Sequence, residues 1–488
     1  MREIQKLFEQ LDYRILQGSL EGEITELVFD SRKATEGCLF VCIRGANVDG
    51  HSFASAVADS GARVIVCEEP VDVRRDVTVI GVENTREALA VLSAAYFDHP
   101  AEEVRCIGIT GTKGKTTTTY MVRSILENAG FSVGLIGTIE TIIGEEHKKA
   151  LNTTPESYAI QEDLRRMADV GQKVCVMEVS SQGLMMHRVD GMTFDIGIFT
   201  NIEPDHIGPN EHKDFDDYLH AKSLLFRKCR RGLLNADDPH LERILEGHTC
   251  EVATFGFSEE ADFCAENMEL VSENGSLGVA YDTTGVLPGH FAVPLPGRFS
   301  VYNSLTAIAI CHYFGVEAAT MQKALSKVSV KGRIEPVPIS EHFTVLIDYA
   351  HNAMSLKSLL STLRDYKPSR LVCIFGCGGN RSRLRRFEMG EVSGELADST
   401  VITSDNPRFE EPKDIMADIR SGIAKTDGEF VEIEDRQEAI RYAIEHAREG
   451  DVIVLAGKGH EDYQEIRGKK YHMDEKEMVL AAAKELGI

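Results

Sequence analysis

No stretch of this chain approaches the ~20 consecutive apolar residues that a membrane-spanning helix requires, so membrane insertion is not expected. It has no C-x-x-C pair. Its eleven cysteines are an odd number, scattered mostly through apolar runs such as those around Cys106, Cys175, Cys311 and Cys373. Reduced, buried thiols fit that pattern; a zinc site or a disulfide framework does not. Cys377, in a glycine-rich loop, is the one thiol to test for reactivity. Positive charge is scarce: 53 Lys and Arg face 78 Asp and Glu, a net charge of −25. A nucleic-acid partner would need a strong local basic patch. The best basic run, Arg381 to Arg386, is short and follows Phe375-Gly-Cys-Gly-Gly-Asn380, which suits a small anion instead. Internal repeats and low-complexity tracts are missing too. Met1 to Leu11 carries acidic residues and lacks an apolar core followed by a cleavage site. It is expected to form an amphipathic helix, and the protein to stay in the cytoplasm.

What remains is an ordinary globular composition, 43% hydrophobic and 27% charged over 488 residues, long enough for about three domains. The expected class is α/β. A first unit, 1–98, mixes short strands (38–43, 63–67, 77–82) with helices such as 86–97. Strand–helix alternation starts at Val104 and predicts a central P-loop-type, doubly wound parallel sheet in a domain spanning 99–331. Its strands are expected at 106–109, 133–135, 174–178, 196–200 and 232–235. A small antiparallel insertion is expected between about 252 and 293. Alternation resumes over 332–488, with strands at 345–348, 371–375, 400–403, 430–433 and 452–455.

The segment Ile109-Thr-Gly-Thr-Lys-Gly-Lys-Thr-Thr117 joins a buried strand to a helix through a glycine-rich turn. Gly111, Thr112, Lys113 and Gly114 can turn backbone N–H groups towards a polyphosphate. Lys115 adds positive charge, the Thr116 hydroxyl can hold Mg²⁺, and Thr117 continues the helix start. Ile109 stands where the usual P-loop has its first glycine. Glu178 ends an apolar strand, suiting it to hold Mg²⁺ opposite Thr116; the alternative is a solvated carboxylate at the sheet edge. Asp205 and His206 follow the next strand, where a surface histidine is the plainer reading. Lys222 lies in a helical stretch among small and apolar residues, where a snorkelling lysine is the bland alternative. In the last unit, loops after three strands bring Arg386, Arg408 and Glu461. Two cations and one anion suit a zwitterion, with mutual salt-bridging as the alternative.

Gly-Thr-Lys-Gly-Lys-Thr (111–116), Glu-Val-Ser-Ser (178–181), Ala-Lys-Ser-Leu-Leu-Phe (221–226), Tyr-Asn-Ser-Leu-Thr-Ala (302–307), Gly-Arg-Ile-Glu (332–335) and Asp-Tyr-Ala-His (348–351) occur in the order found in the Mur ligases. Asn152-Thr-Thr-Pro155, Asp405-Asn-Pro-Arg408 and Gly457-Lys-Gly-His-Glu461 extend the resemblance over essentially the whole chain.

The resemblance implies a UDP-binding first domain, a central ATPase and a Rossmann-like third domain that supplies the amino acid. It implies that ATP phosphorylates the carboxylate of UDP-MurNAc-L-Ala-D-Glu and that a diamino acid captures the acyl phosphate. Carried over by position, Ser31 and the Ala46, Asn47 and Val48 loop would touch UDP. Asn152, Thr153, Thr154, Ser180 and Arg188 would hold the muramoyl dipeptide. ATP would meet residues 111–117, Asn303, Arg333, Asp348 and His351. Mg²⁺ would sit near Thr116, Glu178 and His206, and Lys222 would be N-carboxylated, its carbamate helping to hold a second Mg²⁺. Lys115, Glu178, His206 and Lys222 would carry catalysis. Arg386, Asp405, Asn406, Pro407, Arg408, Gly457 and Glu461 would form the amino-acid site, with Arg408 favouring meso-diaminopimelate over L-lysine. A monomer is expected. The alternatives are the same reaction with lysine or another diamino acid, or a related Mur-type or folylpolyglutamate-type ligase. Departures from the family pattern include Asn352-Ala353, Met186, Asn380 and Phe409; they bear on substrate detail.

Overall fold

A computed structural model describes residues 1–45, 48–208, 211–273 and 275–488. The chain divides into two compact units, one of residues 1–262 with 309–314, the other of 263–308 with 315–488.

The first unit contains two main sheets and a short two-stranded pair. Near the N-terminus, strands Leu27–Val28, Leu39–Val41, Val64–Cys67 and Thr78–Gly81 run parallel, and Arg14–Gln17 closes the edge antiparallel. Both faces are covered, which is why Val64 to Cys67 are all buried. The expected N-terminal helix is much shorter, Ile4–Leu7. Arg2 and Glu3 pair as a strand with Ile24 and Glu23 instead, so tertiary pairing overrides the helical pattern.

The larger sheet follows. Its parallel strands are β1 (Arg105–Thr110), β2 (Val133–Ile136), β3 (Val174–Glu178), β4 (Phe194–Phe199), β5 (Cys229–Asn235) and β6 (Glu251–Gly256), in spatial order β2-β3-β1-β4-β5-β6. Order reverses between β3, β1 and β4, and ligands of such sheets bind at that crevice, beyond the strand ends. Helices α1 (Lys115–Asn128), α2 (Ser157–Asp169) and α3 (Phe215–Ser223) join these strands. The core is continuous from Val104 and Cys106 through Leu164, Met177 and Phe199 to Leu225 and Phe226.

The second unit begins with an antiparallel meander, Phe263–Glu273, Ser276–Gly285 and Gly289–Val293, as the turn-rich sequence predicts. Its main sheet holds β7 (Thr344–Asp348), β8 (Arg370–Phe375), β9 (Ser399–Ile402), β10 (Glu429–Glu432) and β11 (Asp451–Ala456). They are parallel, in spatial order β7-β11-β8-β9-β10, with Glu335–Pro336 antiparallel at the β7 edge. Helices α4 (Leu384–Leu396), α5 (Pro412–Ile423), α6 (Arg436–Glu445) and α7 (Glu475–Leu486) flank it. No helix among the described residues is long and apolar enough to cross a membrane.

Candidate active site

β1 ends at Thr110, and α1 starts at Lys115. Gly111 between them has φ +148°, and a Cβ there would lie 1.9 Å from Thr200 Oγ1. Only glycine meets both demands. The loop after β4 braces the turn. Asn201 accepts from Thr112 N through its carbonyl and from Lys113 N through Oδ1, each at 2.9 Å, and Thr200 Oγ1 donates to Lys113 O at 2.7 Å. Thr112 Oγ1 lies 3.0 Å from the Tyr218 hydroxyl, and Lys113 pairs with Glu203 at 2.8 Å. Lys115 Nζ donates to Gly111 O at 2.7 Å. The turn is thus rigid, with the N-terminus of a four-turn helix behind it.

Thr116 and Glu178 meet as expected. Thr116 Oγ1 donates to Glu178 Oε2 at 2.9 Å. Thr138, just past β2, donates its N–H to Oε1 at 2.8 Å and its hydroxyl to Oε2 at 3.0 Å. Only 1% of Glu178 is exposed. A buried carboxylate in contact with two hydroxyls is a hard oxygen site, and this donor set fits Mg²⁺.

Lys222 is 1% exposed on α3. Its Nζ donates to Gly111 O at 2.9 Å and lies 4.5 Å from the Tyr218 ring centre. Burial, reinforced by the Lys115 cation, holds its amine well below the ordinary lysine range. Burial on this scale favours the uncharged form and excludes a snorkelling lysine. His206, in the loop after β4, has a backbone φ of +54°; its ring centre lies 6.1 Å from that of Tyr218, its Nδ1 lies 3.1 Å from Glu211 Oε1, and the side chain is half exposed.

The far side of Glu178 meets the Asn152–Pro155 loop. Thr154 Oγ1 donates to the Glu178 carbonyl and accepts from Ser180 N, both at 2.9 Å. Arg188 Nη1 donates to Thr154 O at 2.9 Å, and its Nη2 pairs with Glu156 at 2.8 Å. Thr153 Oγ1 lies 3.1 Å from Thr138 Oγ1. Asn152 is exposed and Thr117 half-buried. Of the expected UDP contacts, Ser31 opens a short 3₁₀ turn capped by Asp30. Val48 is exposed, and Ala46 and Asn47 lie outside the described residues.

In the second unit, loops after β8, β9 and β11 converge. Asn406 Nδ2 donates to Glu461 Oε2 at 2.8 Å. Lys458, 0% exposed, reaches Glu461 Oε2 at 3.1 Å, Asn406 Oδ1 at 3.3 Å and Asp405 Oδ1 at 3.4 Å. Gly457 adjoins Asp405. A Cβ on Gly379 would lie 1.9 Å from Pro407 O, so here one backbone crosses directly over another. Arg408 has φ +51°. That costly geometry is held by its N–H donating to Glu465 O at 3.0 Å and its carbonyl accepting from Arg467 N at 2.7 Å. The guanidinium bonds Gly379 O at 2.7 Å and Glu465 at 3.2 Å.

Arg386 is used differently. It is buried, and bonds Glu410 Oε1 at 2.8 Å and Asp418 Oδ2 at 3.1 Å, bracing the 376–380 loop from behind. Asp348 accepts from Ile334 N and Ala350 N at 2.8 Å each. Arg333 and His351 both pack on Tyr349, and Asn303 is buried on the helix Arg298–His312. Cys377, the thiol singled out for a check of reactivity, is buried, its sulfur 3.7 Å from Met389 Sδ, and burial pushes the thiol up to about 12. That thiol is inert at neutral pH. Sequence reasoning passed over Thr138, Thr200, Asn201, Glu156 and Lys458. Lys458 stood inside a motif already quoted, and Thr200 and Asn201 at the end of an expected strand; only three-dimensional contact gives them their roles.

Comparison with known proteins agrees with this layout. The Mur ligase middle domain profile matches residues 109–311. The Mur ligase, glutamate ligase domain matches 332–459, and the Mur ligase family, catalytic domain matches 23–97. The chain is 42% identical over 486 residues to UDP-N-acetylmuramoyl-L-alanyl-D-glutamate–2,6-diaminopimelate ligase 1 of Clostridium acetobutylicum, covering 99% of each. It is 41% identical over 483 residues to the ligase of that name from Clostridium perfringens, covering 98% of each. A solved structure of a UDP-N-acetylmuramoyl-L-alanyl-D-glutamate–2,6-diaminopimelate ligase superposes with a TM-score of 0.75 at 25% identity, covering 100% of this chain and 99% of that one.

Proposed function

The chain belongs to the Mur ligase family, and from that premise we propose that it joins meso-2,6-diaminopimelate to UDP-MurNAc-L-Ala-D-Glu with cleavage of ATP to ADP and phosphate, an amide-ligase step of peptidoglycan precursor synthesis. One observation carries the reading. Glu178 contacts the phosphate cradle through Thr116 Oγ1 and the Asn152–Pro155 loop through Thr154 Oγ1, each at 2.9 Å. A γ-phosphate in the cradle and a carboxylate on that loop would be neighbours.

A carboxylate is a poor electrophile until one oxygen becomes part of a leaving group. The dipeptide's terminal side-chain carboxylate oxygen attacks the γ-phosphorus, and the bond to ADP breaks. The amine nitrogen of the diamino acid then attacks the acyl carbon, and phosphate leaves. Residues 111–117 hold the phosphates: the turn shapes the cradle, the N–H groups at the start of α1 face it, and Lys115 supplies charge. Thr116, Glu178 and His206 would hold Mg²⁺, which when bound offsets phosphate charge. Lys222, buried and with its amine held well below the ordinary lysine range, is suited to N-carboxylation, which would give it oxygen donors for a second ion. Asn152, Thr153, Thr154, Ser180 and Arg188 orient the dipeptide, and Ser31 with residues 46–48 takes the uridine end. Asn303, Arg333, Asp348 and His351 serve the nucleotide.

In the amino-acid site the Arg408 guanidinium takes the distal carboxylate and Glu461 an ammonium. Asp405, Asn406, Pro407 and Gly457 complete it, and Arg386, paired with Glu410 and Asp418, braces the loop behind them. Lysine has no distal carboxylate for Arg408. The domain limits 1–98, 99–331 and 332–488, a cytoplasmic location and a monomeric state belong to the same proposal.

The test supplies ATP, UDP-MurNAc-L-Ala-D-Glu and an equimolar mixture of meso-diaminopimelate and lysine, and identifies the product by mass spectrometry. A diaminopimelyl amide is expected. A lysyl product overturns the choice of amino acid; ATP cleavage indifferent to the UDP-sugar peptide overturns the reaction.

A further inference from the structure

A side chain outside both amino-acid loops ties them together. Arg436 opens α6 and is 2% exposed. Its Nη1 donates to Ser404 O at 3.0 Å and its Nη2 to Ala456 O at 3.1 Å. Ser404 directly precedes Asp405, and Ala456 directly precedes Gly457. These carbonyls are the roots of the two loops that carry Asp405, Asn406, Arg408 and Glu461.

The strands under those loops, β9 and β11, are not neighbours, because β8 runs between them. No ladder bond fixes one root against the other. A guanidinium is planar and carries its donors at fixed angles, so its two arms hold the roots at one separation. Its orientation is fixed in turn: Nε donates at 2.8 Å, and Nη2 lies at 2.6 Å, to the same oxygen, Oε1 of the buried Glu475. A buried pair of this kind is roughly neutral for stability against an apolar replacement. Stability therefore does not account for an arginine here, whereas geometry does. Nearer the ligand, Lys458 spans the same gap to Asp405 and Asn406. The loops are stapled at the root by Arg436 and at the tip by Lys458.

We propose that Arg436, locked by Glu475, is a positioning residue that sets the separation of the two amino-acid loops and so the length of diamino acid accepted. It touches no substrate. The proposal rests on these loops being the amino-acid site.

Arg436→Lys keeps the charge facing Glu475 but cannot fork to both carbonyls. KM for meso-diaminopimelate should rise about tenfold or more, while KM for ATP and for the UDP-sugar dipeptide stay within about twofold. The kcat/KM preference for meso-diaminopimelate over lysine should fall about tenfold. Glu475→Gln, which releases the guanidinium, should move the same quantities in the same direction. Thermal melting establishes that each variant is folded. A folded variant with unchanged KM and preference overturns the proposal. So does a parallel loss towards all three substrates with the preference intact, or failure of both variants to fold, since each describes a purely structural pair. Wild-type enzyme that ignores meso-diaminopimelate overturns the substrate assignment instead.

Discussion

Thr116 on the first turn of α1 donates its hydroxyl to Glu178 at the end of β3 across 2.9 Å. The contact joins two points 62 residues apart in sequence, at the place where β3, β1 and β4 reverse their order. It makes Glu178 the link between the 111–117 turn and the Asn152–Pro155 loop.

Glu178→Gln keeps the shape and removes the charge. Turnover should fall by about 100-fold or more, and the Mg²⁺ concentration needed for half-maximal rate should rise. Phosphate release measured across a Mg²⁺ titration checks this. A rate and Mg²⁺ dependence equal to wild type would show that the carboxylate has no part in the reaction.

Lys222→Ala removes the buried amine beside Gly111. Activity should drop by about 100-fold or more, and added bicarbonate should not restore it. Carbon NMR after labelling with ¹³C-bicarbonate should show a carbamate signal in the wild type and none in the variant. Near-normal turnover in the variant rejects the role.

Arg408→Ala should lower kcat/KM for meso-diaminopimelate by about 10- to 100-fold, the value of one or two hydrogen bonds to a charged group. Use of lysine should change little. Parallel assays with the two amino acids separate the outcomes; equal losses for both would assign Arg408 to the loop and not to the ligand.

Asp163 on α2 offers a pH test of stability. It is buried, its Oδ1 accepts no hydrogen bond, and its nearest cations are Arg166 at 3.8 Å and Lys148 at 4.0 Å. Burial pushes the carboxyl up to about 6 from an ordinary 3.8, against the pull of both cations. The folded state therefore holds this proton more tightly than the unfolded chain does. Its stabilising share is complete below the unfolded value and is lost as pH rises through about 6. Asp163→Asn, which cannot ionise, should be more stable than wild type at pH 8 by on the order of 1–3 kcal/mol. That gap should close towards pH 4. Urea melts at both pH values decide it; a gap independent of pH counts against the assignment.

Much of this was legible because it is local. Glycine, lysine and threonine at 111–117 encode a turn whose backbone demands them, and the apolar runs ending at Glu178 and Ala456 mark strand ends. What escaped depends on distant partners. Thr138 matters because it meets Glu178, forty residues away. Arg386 looked available for a ligand until Glu410 and Asp418, on other elements, were found beside it. The Met1–Leu11 pattern gave way to pairing of Arg2 and Glu3 with Ile24 and Glu23. The glycine-rich loop left the state of Cys377 open, and its burial against Met389 answers it. Arg436 sits in no motif, and only its bonds to Ser404 and Ala456 single it out.

The crossing of Gly379 under Pro407 is a contact of main chain with main chain, closed by Gly379 N donating to Asn406 O at 2.8 Å. The Arg408 guanidinium adds one bond to it, to Gly379 O at 2.7 Å. Replacing Gly379 would spoil the crossing. The path of the loop is anchored at a position that has no side chain at all.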